Sequence, residues 1–284
     1  MRFSINVDMD VYKALAERGK SDGVDQNAIL RQLLDLGREP TSDFWVTPPL
    51  DGEAARNAVA GSQGPSGRPR SAPSNGVRGP RRIAVVGATG SIGGRVVSEA
   101  LSRDAEVVAV VRDPSKLAPR AGVTVRGANA NDPQGLAGAL AGADAVVVSV
   151  KWAEADINPL LAGLRASGVK RAIFVIGCGS LVRHDGRRHF VHVAEANGVP
   201  PPETVPAVRV LDALKAVEGL EWTVISCPID IRAGERTGQF RTGGDQMLFD
   251  DHGVSRISEE DFAVAIIDEI REPAHVREQF GAAY

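Results

Sequence analysis

Short apolar runs and helical stripes alternate over the carboxyl-terminal two thirds of this chain. Ile83–Val86, Val107–Val111, Val123–Arg126, Ala145–Val150, Ala172–Ile176 and Thr223–Ser226 are short and mostly rich in valine, isoleucine and alanine. Such runs suit strands covered on both faces. Between them the spacing turns helical, near 93–102, 134–141, 157–167 and 204–218. A last helix is expected after Ser258. Ser258 and Asp261 have the spacing of a capping box with Asp in place of Glu, and Phe262, Ile266, Ile267 and Ile270 form the apolar face behind it. This alternation predicts an α/β domain over 81–284, built on a doubly wound parallel sheet with its ligand at the carboxyl ends of the strands.

The first forty residues follow another pattern. Arg2, Ser4 and Asn6 alternate with Phe3, Ile5 and Val7, as in a half-buried strand. Asp8 can cap a helix carrying Val11, Ala14 and Leu15. Gly23 breaks the chain, and Asp25 can cap a second helix whose apolar face is Ile29, Leu30, Leu33, Leu34 and Leu36, ending at Gly37. A strand and two short helices cannot close a core alone, and below about 40 residues association is the usual remedy. Strand, helix, glycine turn and helix in this order resemble the ribbon-helix-helix DNA-binding domain. The resemblance implies a homodimer with paired strands in the major groove, Arg2, Ser4 and Asn6 facing bases and the backbone of 25–27 facing phosphate. A head that only dimerises is the alternative.

Between 61 and 80, thirteen of twenty residues are Gly, Pro or Ser. A segment so poor in apolar side chains cannot offset its ordering entropy, so 41–80 is expected to be a flexible linker. Charge is unevenly distributed: net −1 over 1–40, +3 over 41–82 and −5 over the remainder. A head of net −1 is at odds with DNA binding, where phosphate neutralisation dominates affinity. The linker can compensate. Gly67-Arg68-Pro69 followed by Arg70 resembles the core of a minor-groove AT-hook, and Arg78, Arg81 and Arg82 add charge.

The 284 residues carry a net charge of −3 and are 43% hydrophobic, which is ordinary for a soluble protein. No apolar run approaches the ~20 residues of a membrane span, and Arg2, Asp8 and Asp10 interrupt any signal-peptide core. Two cysteines, Cys178 and Cys227, make no secreted disulfide framework. A cytoplasmic protein without a membrane partner is expected.

The chemistry is concentrated at 82–94, Arg-Ile-Ala-Val-Val-Gly-Ala-Thr-Gly-Ser-Ile-Gly-Gly. A strand, three glycines (Gly87, Gly90, Gly93) and a helix from Arg95 to Leu101 make a phosphate-binding unit. Glycine allows the tight turn and the approach of backbone N–H groups, and the helix N-terminus adds partial positive charge. The spacing Gly-x-x-Gly-x-x-Gly resembles the atypical short-chain dehydrogenase/reductase superfamily. Val111-Arg112-Asp113-Pro114-Ser115-Lys116-Leu117, Ile176-Gly177-Cys178-Gly179-Ser180-Leu181, Gly234-Glu235-Arg236-Thr237-Gly238, Gly243-Gly244-Asp245-Gln246 and Ser255-Arg256-Ile257-Ser258 narrow the resemblance to its NAD(P)H-binding, flavin-reductase-like (NmrA-like) branch, over about 82–284. That resemblance implies a Rossmann-type fold and cofactor contacts at Gly87, Thr89, Gly90, Ser91, Ile92, Gly93, Arg112, Lys116, Ser149, Gly177 and Cys178. Arg112 stands after the second strand, where a carboxylate would bond the ribose 2′-hydroxyl and an arginine instead pairs with a 2′-phosphate. With Lys116 it points to NADP(H) over NAD(H), the alternative being a solvated surface arginine.

The Tyr-x-x-x-Lys pair of the wider superfamily is missing: the only tyrosines are Tyr12 and Tyr284. Ketone chemistry is therefore not expected, whereas flavin- or quinone-type acceptors delocalise incoming charge and need less of an acid. Catalytic residues stay open, with Cys178 and Ser180 as candidates. Cys178 and Cys227 follow neighbouring strands, as a redox pair or as two small buried residues. His184, His189 and His192, at spacings of five and three, do not define a metal site, so a solvated loop is expected and no metal is assigned. Taken together, the expectation is a weak NADPH-dependent reductase tethered to a DNA-binding head as a redox-responsive regulator. The alternatives are a cofactor sensor that does not turn over and a dimeric reductase with no DNA role.

Overall fold

The computed structural model describes residues 81–197 and 203–284. The expected head over 1–40, with Arg2, Ser4 and Asn6, and the linker over 41–80 lie outside them. Ten strands and six α-helices are formed among the described residues: β1 (Arg82–Val86), α1 (Ser91–Ser102), β2 (Glu106–Val111), β3 (Val123–Gly127), α2 (Pro133–Leu140), β4 (Ala145–Val148), α3 (Ile157–Ser167), β5 (Arg171–Ile176), α4 (His189–Asn197), α5 (Thr204–Leu214), β6 (Glu221–Ser226), β7 (Asp230–Arg232), β8 (Arg241–Thr242), β9 (Arg256–Ser258), α6 (Glu259–Arg271) and β10 (Glu278–Ala283).

The main sheet runs β3-β2-β1-β4-β5-β6-β10-β8. Its first seven strands are parallel, and β8 closes the edge antiparallel to β10. The order of the first six strands is that of a doubly wound dinucleotide-binding sheet. Alternate residues of each strand serve opposite cores. Ile83, Val85, Val107 and Ala109 face a core closed by α1 and α6, with Val96, Phe262, Ile266 and Ile270. Ala84, Val86, Val108 and Val110 face a second core closed by α2, α3 and α5, with Leu136, Leu160, Leu164 and Leu211. That double burial is why the strands read as unbroken apolar runs.

Element by element, the sequence pattern holds with shifted bounds: the fourth strand stops at Val148, and the helix expected over 204–218 ends at Leu214. Strands β7 to β10 and helix α4 were not expected. Ser258 does cap α6, its Oγ accepting from Asp261 N at 3.0 Å, but the reciprocal half of the box is absent. Ser258 N donates to the Tyr284 hydroxyl at 3.1 Å, while the Asp261 carboxylate accepts from Thr237 Oγ1 at 2.5 Å and Gly238 N at 2.7 Å. The Gly234–Gly238 loop is thereby clasped to α6. Gly234 N donates to Glu260 Oε2 at 2.8 Å, and Arg236 reaches the buried Glu99 of α1 at 2.7 and 2.8 Å.

Candidate cofactor and acceptor site

The turn after β1 depends on two of its glycines for space. Gly87 has φ +87°, and a Cβ there would lie 2.0 Å from the Ser149 carbonyl oxygen. A Cβ on Gly93 would lie 2.2 Å from the Gly87 carbonyl oxygen. Both clashes are with backbone, so no side chain can swing aside. Gly90 is the N-cap of α1 and makes no side-chain cap bond, and no acidic residue stands in the first turn. Thr89, Gly90 and Ser91 are exposed there, so the amino end of α1 presents its N–H groups and partial positive charge without a competing carboxylate.

Beside this turn, at the carboxyl ends of β4, β5 and β6, lies a cavity of about 420 Å³. Ile92, Ser149, Val150, Trp152, Gly177, Cys178, His189, Thr204, Cys227 and Ile229 are among its walls. Trp152 is held by its Nε1 donating to the Val175 carbonyl at 2.8 Å. Gly177 has nothing within 4 Å of where a Cβ would stand, leaving the floor after β5 open. Gly179 serves packing instead, since a Cβ would meet Thr204 Cγ2 at 2.7 Å. The Gly243–Gln246 stretch is tied to the segment after β5, where Asp245 O accepts from Val182 N at 2.8 Å.

Ile92, Ser149, Gly177 and Cys178 are brought together in the cavity wall, with the glycine turn alongside. Arg112 and Lys116 stand apart from it, exposed after β2, with Lys116 ending the 3₁₀ turn Pro114–Lys116. Asp113 is occupied locally, accepting from Ser115 N at 3.1 Å, and that bond with Ser115 Oγ holds its carboxyl below the usual range. Arg112 Nη1 donates to Glu154 Oε2 at 2.9 Å. Nothing in the sequence near Arg112 signals this partner, which comes from the loop after β4.

Ser180 is turned away from the cavity. It is buried, and its Oγ accepts from Gln279 Nε2 at 2.6 Å in a bridge that also reaches Ser226. Cys178 and Cys227 both reach the cavity as free thiols. Burial pushes both up, Cys227 to about 12 with Cys178 adding to the shift, so both are protonated, weakly nucleophilic wall residues at neutral pH. Tyr284 is committed to Ser258 and Asp261.

The three histidines are not one solvated loop. His184 is exposed and His192 Nε2 lies 3.2 Å from Asp185 Oδ1. His189 opens α4, is buried, and forms part of the cavity wall. Its Nδ1 is sealed from solvent with no hydrogen-bond partner, and burial, then Arg183 and His192, push its pKa down. Among the described residues no group of three or more His, Cys, Asp or Glu side chains could hold a metal ion, and no helix is long and apolar enough to cross a membrane.

A glycine turn at an uncapped helix start, opening on a cavity at the strand ends, fits a dinucleotide with its pyrophosphate on α1 and its nicotinamide in the cavity. The chain is similar to several known proteins. The uncharacterised protein YwnB of Bacillus subtilis (strain 168) is 28% identical over 216 residues, 70% of this chain and 96% of that one. A candidate exported protein from Burkholderia pseudomallei is 35% identical with a TM-score of 0.63, over 72% of this chain and 99% of that one. A candidate epimerase from Bacteroides thetaiotaomicron is 33% identical with a TM-score of 0.64, over 72% and 97%. A candidate NADH-flavin reductase from Streptococcus pneumoniae TIGR4, 24% identical with a TM-score of 0.60 over 72% and 99%, shares the fold. A family described as NAD(P)H-binding matches residues 87–272, from the first glycine of the turn to just past the end of α6, and the chain belongs to that family.

Proposed function

We propose that residues 81–284 form a slow NAD(P)H-dependent reductase of flat conjugated acceptors, flavin or quinone in type, with NADPH preferred. The observation that carries this reading is the cavity itself. It adjoins the dinucleotide turn, its walls are largely apolar, and no Tyr-x-x-x-Lys pair stands in it. The bound cofactor would supply a hydride from the nicotinamide C4. The chain's part is to hold the acceptor over that carbon and exclude water, with Trp152, Ile92 and Ile229 offering flat apolar surface. An aliphatic ketone would need a strong acid here, whereas a quinone or isoalloxazine spreads the charge. Preference for NADPH rests on Arg112 and Lys116 after β2. Steady-state oxidation of NADPH should be measurable with free flavin or a naphthoquinone and essentially nil with aliphatic ketones. Efficient ketone reduction would overturn the assignment, and binding of cofactor without turnover of any acceptor would leave a sensor.

A second reading is favoured by the strand-helix-helix pattern of 1–40. There the body reports cofactor occupancy to a DNA-bound homodimer in the cytoplasm. Binding of full-length protein to selected duplexes, with NADP⁺, NADPH or neither, tests it. A preference that shifts with cofactor form supports it, and no preference at low salt with any form leaves a dimeric reductase.

A further inference from the structure

His189 has an unusual position for a histidine with nothing to bind. Nine-tenths buried in the cavity wall, it makes no side-chain hydrogen bond among the described residues, and its Nδ1 is sealed. A buried polar atom without a partner is costly, and a native site that keeps one calls for an explanation. The cost is smaller for a lone pair than for an N–H, so the ring proton belongs on Nε2 and not on the sealed Nδ1. Nε2 is then the only polar atom of the ring left to meet a ligand. Burial and the nearby Arg183 and His192 disfavour the charged ring, so it stands neutral at neutral pH as a hydrogen-bond donor.

We propose that His189 is the polar anchor for the acceptor, its Nε2–H donating to a carbonyl oxygen of a quinone- or isoalloxazine-type molecule in the cavity. The assignment rests on reading this cavity as the acceptor site. Apart from Ser149, Thr204 and Glu203 the remaining walls are largely apolar, so a buried donor at a fixed point would help set which way a flat molecule lies. Hydride arrival oxidises the dihydronicotinamide and reduces the acceptor to its anion, with charge building on the carbonyl oxygen, and a proton from water completes the reduction. His189 keeps its own proton throughout and acts by stabilising that charge, a contribution of the kind made by a preorganised oxyanion donor.

The test uses the full chain with His189→Phe and His189→Gln, the second keeping an N–H donor on a side chain of similar reach. Calorimetry of 2-methyl-1,4-naphthoquinone binding in the presence of NADP⁺ should show about tenfold weaker affinity for His189→Phe. NADP⁺ affinity should stay within about twofold, and His189→Gln should recover most of the loss. With NADPH, kcat for the quinone should fall on the order of 10- to 100-fold in His189→Phe. Equal quinone affinity in wild type and His189→Phe overturns the anchor, as does a His189→Gln variant no better than His189→Phe. If the substitutions unfold the protein, nitrogen NMR of the wild type decides: quinone must move the His189 Nε2 resonance, and an unmoved signal under saturating quinone overturns the anchor. A wild type that binds quinone through His189 yet never oxidises NADPH keeps the anchor and removes the reductase reading.

Discussion

The proposed preference for NADPH turns on Arg112, which follows β2, and on its partner Glu154 in the loop after β4. A 2′-phosphate would have to take over the guanidinium that now donates to Glu154 at 2.9 Å, while the carboxylate repels it. Both side chains are largely exposed, so the ion pair itself stabilises the fold little. Arg112→Ala should weaken NADPH binding tenfold or more, on the order of the 1.5–3 kcal/mol of a charge-assisted contact, and leave NADH nearly unchanged. Glu154→Gln should tighten NADPH a few-fold, again without moving NADH. Equal losses for both cofactors in titration calorimetry would remove Arg112 from the ribose site. At this scale the glycines were legible because much of their role is local: Gly87 has φ +87° and a Cβ on Gly93 would strike Gly87 of the same turn, although the clash at Gly87 itself is with the Ser149 carbonyl after β4. Glu154 and His189 were not legible. Each gains its role from a loop or helix that the fold folds back over a distant strand end, and His189 carries no local mark that separates it from His184 or His192.

Helix α6 shows how an element is fixed from outside its own sequence. Its apolar stripe, with Phe262, Ile266 and Ile270, was plain, and so was its Ser258 cap. Its inner acids were not. Glu269 is buried and meets Arg171 Nη2 at 2.7 Å and His275 Nδ1 at 2.8 Å, while Glu99 on α1 meets Arg103 at 2.6 Å and Arg236 at 2.7 Å. Burial opposes charge on both members of the Arg171–Glu269 pair. On Arg171 burial prevails and lowers its pKa, though an arginine keeps its charge at neutral pH. On Glu269 burial is outweighed by bonds from His275 and the backbone of Ala274 and His275, and the carboxyl sits below its ordinary value. Glu99 is likewise lowered, burial being outweighed by Arg236 and Arg103. A depressed carboxyl stabilises the fold above its ordinary value of 4.5, and that contribution fades as pH falls through the lower folded value. Thermal melts should therefore be flat from neutrality to about pH 5 and drop steeply below 4.5. Glu269→Ala should flatten the acid limb and, by leaving Arg171 buried and unpaired, cost about 3–5 kcal/mol, or roughly 6–20 °C in Tm. A variant that melts like wild type would show the pair to be idle. Strand β10 stayed illegible for a related reason: Glu278–Ala283 has one bulky apolar residue, Phe280, and becomes a strand only because the edges of β6 and β8 receive it.

At the scale of the whole molecule, the proposed head over 1–40 and the body would place opposite demands on association. The body closes two cores of its own, with Phe174, Phe262 and Phe280 fully buried, and needs no partner to cover them. On the proposed strand-helix-helix reading of 1–40, Phe3, Ile5, Val7 and the Leu30, Leu33 and Leu34 face would have nothing to cover them in a single copy. Full-length protein should therefore be a dimer held by the head, and deletion of 1–40 should give a monomer that still binds cofactor. If Arg2, Ser4 and Asn6 read bases, replacing all three with alanine should abolish sequence preference, each lost base contact costing on the order of 1–3 kcal/mol, while dimerisation and cofactor binding persist. Replacing the linker arginines Arg68, Arg70 and Arg78 should act differently. It should weaken binding to every duplex alike and flatten the salt dependence, because phosphate contacts release counterions without reading sequence. Sedimentation analysis and selection from random duplexes measure the two effects separately. A full-length dimer that selects no sequence at low salt, with NADP⁺, NADPH or neither, would make the head a clamp that pairs two reductase bodies.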